Sequence, residues 1–314
     1  MRPRFAELQV LAATILWGTT GPVEVLAHLR VPPAALGAIR ILTGGIVLLT
    51  WVIARYAIRR RGTWRSVFGF ASLPVIWRPV AVAACATGVF QGAYFTAVSR
   101  AGAALATAIV FGVAPVATGL WAWAAERSPL TIRWSVGTTC AIAGCVLLLL
   151  PAQGGHGDTI GVALAVISGA CYAVYTVAAK RFAEPGGEQR ASAGVVLAVA
   201  ITLVAGGLML TPWLVAAGPG LLTGRTVLAV AWLGPVTTAV AYLLFVRGLH
   251  GVTAPTAGTL SLAEPLVAAI LGLGLLHERL AGAAVTGCLL LAAGLIIAAV
   301  PLPRPRRTAP TAGT

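Results

Sequence analysis

Ten long apolar runs divide this 314-residue chain, and they limit its fold more than any other feature of the sequence. Each is close to the ~20 residues that a helix needs to cross the hydrocarbon core of a bilayer. Hydrophobic residues make up 59% of the chain and charged residues only 10%, which excludes an ordinary soluble domain. The connectors between the runs are too short to fold separately. The runs are 6–28, 33–57, 79–99, 102–125, 132–151, 159–182, 192–216, 226–248, 253–277 and 280–301.

The basic residues set the orientation of these runs. The chain carries 22 Lys and Arg residues against 8 Asp and Glu residues. With both termini in the cytoplasm, seventeen of the basic residues fall at cytoplasmic ends and four at external ends, as the positive-inside rule requires. We therefore predict a multi-pass protein of the cytoplasmic (plasma) membrane with both termini inside. The Pro-, Arg- and Thr-rich segment 302–314 is predicted to be a disordered cytoplasmic tail.

The two halves of the chain share a spacing of 150 residues, which indicates an internal duplication. Residues 6–151 form the first predicted repeat and residues 159–301 the second. Each repeat has five spans, and because five is odd, the second repeat enters the membrane from the opposite side. The predicted fold is an all-α integral membrane protein with ten transmembrane helices arranged as two inverted five-helix repeats. The residues that recur are Pro115, Gly137, Gly144 and Pro151 in the first half and Pro265, Gly287, Gly294 and Pro301 in the second.

Short motifs lie at matching places in this ten-span pattern. They are Leu16-Trp17-Gly18-Thr19 in the first run, Ala38-Ile39-Arg40 in the second, Pro115-Val116 and Pro265-Leu266 followed by Glu126-Arg127 and Glu278-Arg279, and Gly-x6-Gly in the fifth and tenth runs. With these motifs the chain resembles the drug/metabolite transporter superfamily, in its ten-span EamA-like branch. The resemblance implies a secondary transporter that exports a small metabolite, such as an amino acid or an amphipathic compound, by alternating access. It also implies a structural role for Arg40.

Glu264 is the acid placed deepest in an apolar run, about twelve residues or ~18 Å from its start. A carboxylate near the middle of a membrane costs at least ~2.5 kcal/mol, so it indicates a functional site. Pro265 follows directly and is expected to bend the helix and to leave the carbonyl of Ser261 without its helical donor. Pro115 is predicted to act as the equivalent hinge in the first half. The alternative for Glu264 is a neutral carboxyl that braces the helix end near Ser261.

Further polar side chains within the runs predict a substrate cavity between the halves. Trp17 and Glu24 share one helical stripe, and aromatic rings with polar tips suit a cavity for an organic solute. The alternatives are a structural ion pair between Glu24 and Arg40, because buried charges are usually paired, and an interfacial belt of tyrosines. The predicted cavity residues are Trp17, Glu24, Gln91, Tyr94, Tyr172, Tyr175, Tyr242, Ser261 and Glu264.

Two rival classes of membrane protein stay open at this point. An integral-membrane enzyme needs clustered catalytic groups, but the chain has one aspartate, Asp158, and no Cys/His pairing at metal spacing. No phosphate-binding loop indicates an ATP-driven pump. A non-transporting membrane scaffold is the second rival. We predict no enzyme activity, no metal site, no cofactor and no nucleic-acid partner; the expected partners are the lipid bilayer, a small-molecule substrate and, as a coupling ion, protons.

Overall fold

The computed structural model describes residues 3–29, 31–58, 74–149, 158–183, 188–218, 221, 223–277 and 282–299. The regular structure within these ranges is helical. The predicted tail 302–314 and the Glu278-Arg279 pair lie outside them. The helices are α1 (Pro3–Gly18), α2 (Thr20–Leu26), α3 (Pro33–Ile58), α4 (Pro74–Ala101), α5 (Ala103–Ala124), α6 (Ile132–Leu149), α7 (Thr159–Ala183), α8 (Glu188–Leu208), α9 (Thr211–Ala217), α10 (Gly224–Leu233), a π-helical segment (Pro235–Val240), α11 (Ala241–Gly248), α12 (Ala254–Leu260), α13 (Ala263–Leu275) and α14 (Gly282–Ala299).

Six of these helices alone, and two stretches that each join consecutive helices (224–248 and 254–275), are long and apolar enough to cross a membrane. Eight stretches meet that requirement, and the pair α8 and α9, bent by 53°, makes a ninth if it forms one span. The prediction of an all-helical membrane protein is therefore confirmed, with eight or nine of the ten expected spans found by length and composition. The remaining one, at 6–28, is divided into α1 and α2.

The division between α1 and α2 has a local cause. Pro22 has no N–H to donate to the carbonyl of Gly18, which removes one helical hydrogen bond. Thr19 closes the end of α1 instead, since its hydroxyl donates to the Leu16 carbonyl at 2.7 Å. Gly18 lies directly against α13: a Cβ added there would lie 2.8 Å from the carbonyl oxygen of Glu264. The break thus occurs beside a close approach of the backbones of α1 and α13.

A second irregularity interrupts the stretch from α10 to α11, where residues 235–240 form a π-helix. Pro235 cannot donate a backbone hydrogen bond, and the hydroxyls of Thr237 and Thr238 both donate to the carbonyl of Leu233, at 2.7 and 2.8 Å. Threonine hydroxyls can bond to backbone carbonyls at such an irregular turn within a membrane. Gly44 of α3 packs against the segment, since a Cβ on it would lie 2.6 Å from the Thr238 Cβ. The wide turn therefore seats α3 against the second half.

The repeated glycines of the two halves meet each other along α6 and α14. A Cβ on Gly144 would lie 2.7 Å from the carbonyl oxygen of Gly287, and one on Gly294 would lie 2.6 Å from that of Gly137. Gly137 lies in the first half of α6 and contacts Gly294 in the second half of α14, so the two helices run antiparallel. Residue 137 matches residue 287 of the other half, and residue 294 matches residue 144. The contact between 137 and 294 is therefore equivalent to the contact between 287 and 144. We call these four residues the glycine seam.

Candidate functional site

A cavity of about 60 Å³ lies between helices from both halves of the chain. A polar site of this size holds a few water molecules, because each needs on the order of 15 Å³. Helices α1, α3 and α4 supply six of its wall residues and α7, α11 and α13 supply four. The ten are Trp17, Arg40, Ala86, Thr87, Phe90, Gln91, Tyr172, Tyr175, Tyr242 and Glu264.

Aromatic rings form one connected wall of this cavity. The ring centroid of Trp17 lies 5.2 Å from that of Tyr242 and 6.4 Å from that of Tyr172, both edge to face. Tyr175 and Tyr242 are 5.5 Å apart in the same arrangement. Edge-to-face pairs of this kind are favourable beyond their buried area. The wall is therefore held in place by contacts between α1, α7 and α11, and its members are four of the residues predicted for the cavity.

Arg40 and Glu264 bring opposite charges to the same cavity. The Nη1 of Arg40 donates to the hydroxyl of Thr20 at 3.2 Å, whereas its Nε has no hydrogen-bond partner among the described residues. Within the same residues, the Glu264 carboxyl makes no direct hydrogen bond and no ion pair. Both charges thus remain available to a bound molecule.

The ion pair expected between Glu24 and Arg40 is not formed. An ion pair with an N–O contact within 4 Å joins Arg100 and Asp158 instead, and neither Glu24 nor Arg40 takes part in it. Arg40 reaches Thr20, one helical turn before Glu24, because α2 starts only after the break at Thr19. Glu24 is half-buried on α2 and does not line the cavity. Arg40, the expected partner of Glu24, therefore lines the cavity instead.

Gln91 is the most deeply buried polar side chain of the cavity wall, with 1% of its surface exposed. Neither its Oε1 nor its Nε2 has a hydrogen-bond partner among the described residues. The indole nitrogen of Trp17 and the hydroxyl of Tyr175 are unpaired in the same way. An unpaired polar atom in the interior costs roughly 1–3 kcal/mol. Several such atoms around one cavity indicate a site built for a polar ligand.

Tyr94 and Ser261 were predicted for the cavity, but they lie behind its wall. The hydroxyl of Tyr94 is 2.9 Å from that of Thr107, and its ring stacks on Phe90 with centroids 5.8 Å apart. Ser261 donates to the Ala257 carbonyl at 2.9 Å, and its hydroxyl also bonds to that of Tyr172. Both residues therefore brace aromatic rings that do face the cavity.

The two predicted hinge prolines differ in their surroundings. Pro115 lies inside the continuous helix α5, whereas Pro265 is the third residue of α13, after the interruption between α12 and α13 at residues 261–262. The carbonyl of Ser261, expected to be unpaired, accepts the N–H of Glu264 at 3.0 Å. The tight turn supplies this donor, so the prediction of a free carbonyl was wrong.

Sequence reasoning did not assign four of the wall residues. Ala86, Thr87 and Phe90 share a face of α4 with Gln91, at spacings of three and four residues. That spacing was a usable signal once Gln91 had been selected. Arg40 carries a signal of its own, as an ionisable residue inside a span.

Comparison with known proteins places these observations in a family. Residues 4–150 and 159–300 each match the EamA-like transporter family. The chain is 35% identical to the Bacillus subtilis (strain 168) uncharacterized transporter YwfM, over 99% of both proteins. It is 29% identical to the threonine/homoserine exporter RhtA of Escherichia coli (strain K12), over 83% of this chain and 78% of that protein. One solved crystal structure shares the fold, with a TM-score of 0.74 at 23% identity over 93% of this chain and 96% of that one.

Proposed function

Because the chain belongs to the EamA-like transporter family, and is a multi-pass membrane transporter rather than an enzyme, we propose that it exports a small amino acid by alternating access. The central cavity is the substrate site. The energy comes from a gradient across the membrane, since the sequence has no phosphate-binding loop. The relation to the exporter RhtA supports both the direction and the substrate class.

One observation carries this proposal: Arg40 and Glu264 line the same cavity without forming a direct ion pair with each other. Charges in a membrane interior are expensive unless they are paired. An α-amino acid carries a carboxylate that Arg40 can bind and an ammonium group that Glu264 can bind. Such charge-assisted hydrogen bonds are roughly twice as strong as neutral ones. A zwitterion therefore supplies a partner for each charge.

We further propose that α1 and α2 together form the tenth span. They cover residues 3–26, or about 36 Å at 1.5 Å per residue. Trp17 packs against Tyr242 at the start of α11, while a Cβ on Gly248 at its end would lie 2.8 Å from the carbonyl of Ala6. These contacts, at opposite ends of both helices, support an antiparallel course of α1 along α11.

Contacts between helix ends support the inverted arrangement. Arg100 at the end of α4 pairs with Asp158 at the start of α7, with Nε and Oδ2 2.5 Å apart. The Nζ of Lys180, late in α7, donates to the carbonyl of Val252, just before α12, at 3.1 Å. In a ten-span arrangement the two members of each pair lie on the same side of the membrane. The antiparallel glycine seam is the geometry expected of equivalent helices in inverted repeats.

Transport of charge-deleted analogues by the purified protein in proteoliposomes tests the proposal. L-threonine keeps both charges, L-threoninamide lacks the carboxylate and 3-hydroxybutanoate lacks the ammonium group. We expect L-threonine to move on the order of thirtyfold faster than either analogue, as for loss of one partner of a buried charge pair. Equal rates for the three compounds, or no amino-acid flux at all, would contradict the proposal.

The two charged wall residues should report on different ends of the substrate. Arg40→Gln should remove the preference for L-threonine over L-threoninamide, and Glu264→Gln the preference over 3-hydroxybutanoate. Glu24→Gln serves as the matched control, because that carboxyl is half-buried in the same bundle but does not line the cavity. Its flux and its preferences should stay near those of the wild type.

A further inference from the structure

Gln91 has a place in the cavity that the charge pair does not explain. It lies on α4, one helical turn after Thr87, and both polar atoms of its amide lack a partner among the described residues. An apolar side chain of similar length would fill the same space without an unpaired group. A buried amide that makes no hydrogen bond within the protein is explained if it bonds to a ligand.

The amide lies beside the helix that carries Arg40. A Cβ added to Gly37 of α3 would meet the ring of Phe95 first, and would lie 3.1 Å from the Oε1 of Gln91. Gly37 and Arg40 are three residues apart and so share a face of α3. The amide of Gln91 thus packs against the face of α3 that carries Arg40, and both side chains line the same cavity. Gln91 is in reach of the part of the substrate that follows its carboxylate.

We infer that Gln91 selects the side chain of the transported amino acid, and favours one that carries a hydroxyl group. This inference rests on the proposed function. A hydroxyl both donates and accepts hydrogen bonds, while the glutamine amide offers an acceptor oxygen and a donor NH₂ group. One hydroxyl group therefore satisfies both free atoms. Thr87 donates its own hydrogen to the Ala83 carbonyl at 2.8 Å, so its oxygen can accept one more.

The same arrangement rejects an apolar side chain of equal size. A methyl group in place of the hydroxyl leaves the amide of Gln91 unpaired in the loaded cavity, and that loss falls on the analogue alone. Sites built to hydrogen-bond a hydroxyl discriminate in this way far more strongly than apolar pockets discriminate by size. Threonine and valine are the matched pair, because they differ only by a hydroxyl in place of a methyl group.

The experiment measures initial rates of L-threonine and L-valine flux in proteoliposomes. We expect the wild type to prefer threonine by at least about tenfold, the effect of one unpaired buried amide. In Gln91→Met the ratio should fall to near one, with the rate for valine unchanged or higher. A side chain with only a structural role would lower both rates together. Gln9→Met is the control, since Gln9 is a buried glutamine of α1 that does not line the cavity, and its ratio should stay at the wild-type value.

A second pair of substrates makes the test independent of any variant. Serine and alanine also differ by one hydroxyl, and the wild type should prefer serine by a similar factor. Ratios near one for both pairs in the wild type, or an unchanged ratio in Gln91→Met, would overturn the role of Gln91 while amino-acid flux itself would leave the proposed function standing. No flux of any of the four amino acids would overturn both.

Discussion

Pro115 and Pro265 occupy matching positions in the two repeats, but their helices differ. Helix α5 continues through Pro115, whereas α12 ends at Leu260 and α13 starts at Ala263, just before Pro265. Apolar residues precede Pro115, while Ser261 and Glu264 precede Pro265. The Ser261 hydroxyl bonds to Tyr172 and its carbonyl accepts from Glu264, so the second turn is stabilised by polar contacts. A proline alone does not break a membrane helix; its polar neighbours decide whether a turn forms there.

The glycine seam shows the opposite behaviour, because the same residues in both halves keep the same structure. Each helix of the seam supplies two glycines, and each glycine faces backbone of the other helix. This contact requires no polar group. We interpret the seam as the fixed part of the molecule and the turn before Pro265 as the part that changes during transport.

The largest effect is expected in the glycine seam. Gly144→Val would force a side chain onto the backbone of α14, since even a Cβ would lie 2.7 Å from the Gly287 carbonyl oxygen. Overpacking of this kind typically lowers the free energy of unfolding by about 1–3 kcal/mol, and occasionally by more. Little monodisperse protein should therefore be recovered by size-exclusion chromatography. Gly274→Ala is the control, because no atom lies within 4 Å of its added Cβ. Normal yield and melting temperature for Gly144→Val would show that the seam is not tightly packed.

A large effect on flux is expected at Glu264. If its carboxyl exchanges a proton during transport, Glu264→Gln should fold and insert but lose the dependence of flux on a pH gradient. The variant keeps the size of the side chain but removes both its negative charge and its titration. Parallel flux measurements with and without an imposed gradient check this. An unchanged response to the gradient would show that the Glu264 carboxyl does not exchange the coupling proton.

A smaller effect separates the two prolines. Pro265→Ala restores a backbone donor at the turn and so stabilises one conformation of it. Because the turn changes during transport in our interpretation, the flux should fall several-fold. Pro115→Ala lies in a continuous helix and should lower it much less. Both variants should keep most of their folded protein, which circular dichroism in detergent can verify. Equal losses of flux would mean that the two halves use their prolines alike.

Much of the architecture could be predicted from the sequence. Lipid requires long apolar helices, and the repeated Gly137, Gly144, Gly287 and Gly294 indicated the internal duplication, although the contact between their helices was not predicted. The break between α1 and α2 and the π-helical segment were not predicted. Pro22 and Pro235 were visible, but what they do depends on threonine hydroxyls and on backbones from other helices.

The candidate site was predicted less completely than the fold. Trp17, Gln91 and Glu264 were found because their types are unusual in a span. Tyr94 was misplaced because its partner, Thr107, belongs to another helix and has no signal in the sequence. Arg40 was assigned to Glu24 because both lie in neighbouring runs, and only the geometry after the break directs it to Thr20 and the cavity.

The smallest effect concerns the ends of the two halves. Asp158 pairs with Arg100 and accepts a hydrogen bond from the Ile160 N–H at 3.2 Å at the start of α7. The hydrogen bond from Arg100, followed by the one from Ile160, lowers the pKa of the Asp158 carboxyl. At the matching positions 150 residues away, His250 and Leu8 cannot form such a pair.

Asp158→Asn keeps the cap of α7 and removes the charge. Because the pKa of Asp158 is lowered in the folded protein, the ionised carboxyl stabilises it above the ordinary value of 3.8, and this contribution disappears as the pH falls below that range. The melting temperature of the variant should lie slightly below that of the wild type at pH 7, with the difference vanishing towards pH 3. A difference in melting temperature that grows as the pH falls would contradict a stabilising role of the ionised Asp158 carboxyl.

The position of the substrate is the central claim, and protection of a single thiol tests it most directly. In a variant without its five cysteines, Ala86→Cys places a thiol in the cavity wall, while Ser99→Cys places one at the exposed end of the same helix. The rate of labelling by N-ethylmaleimide is measured in proteoliposomes with and without an excess of L-threonine. We predict that threonine slows labelling of Ala86→Cys and leaves that of Ser99→Cys unchanged. Equal labelling of Ala86→Cys with and without threonine, in vesicles that still transport it, would contradict a substrate site in this cavity.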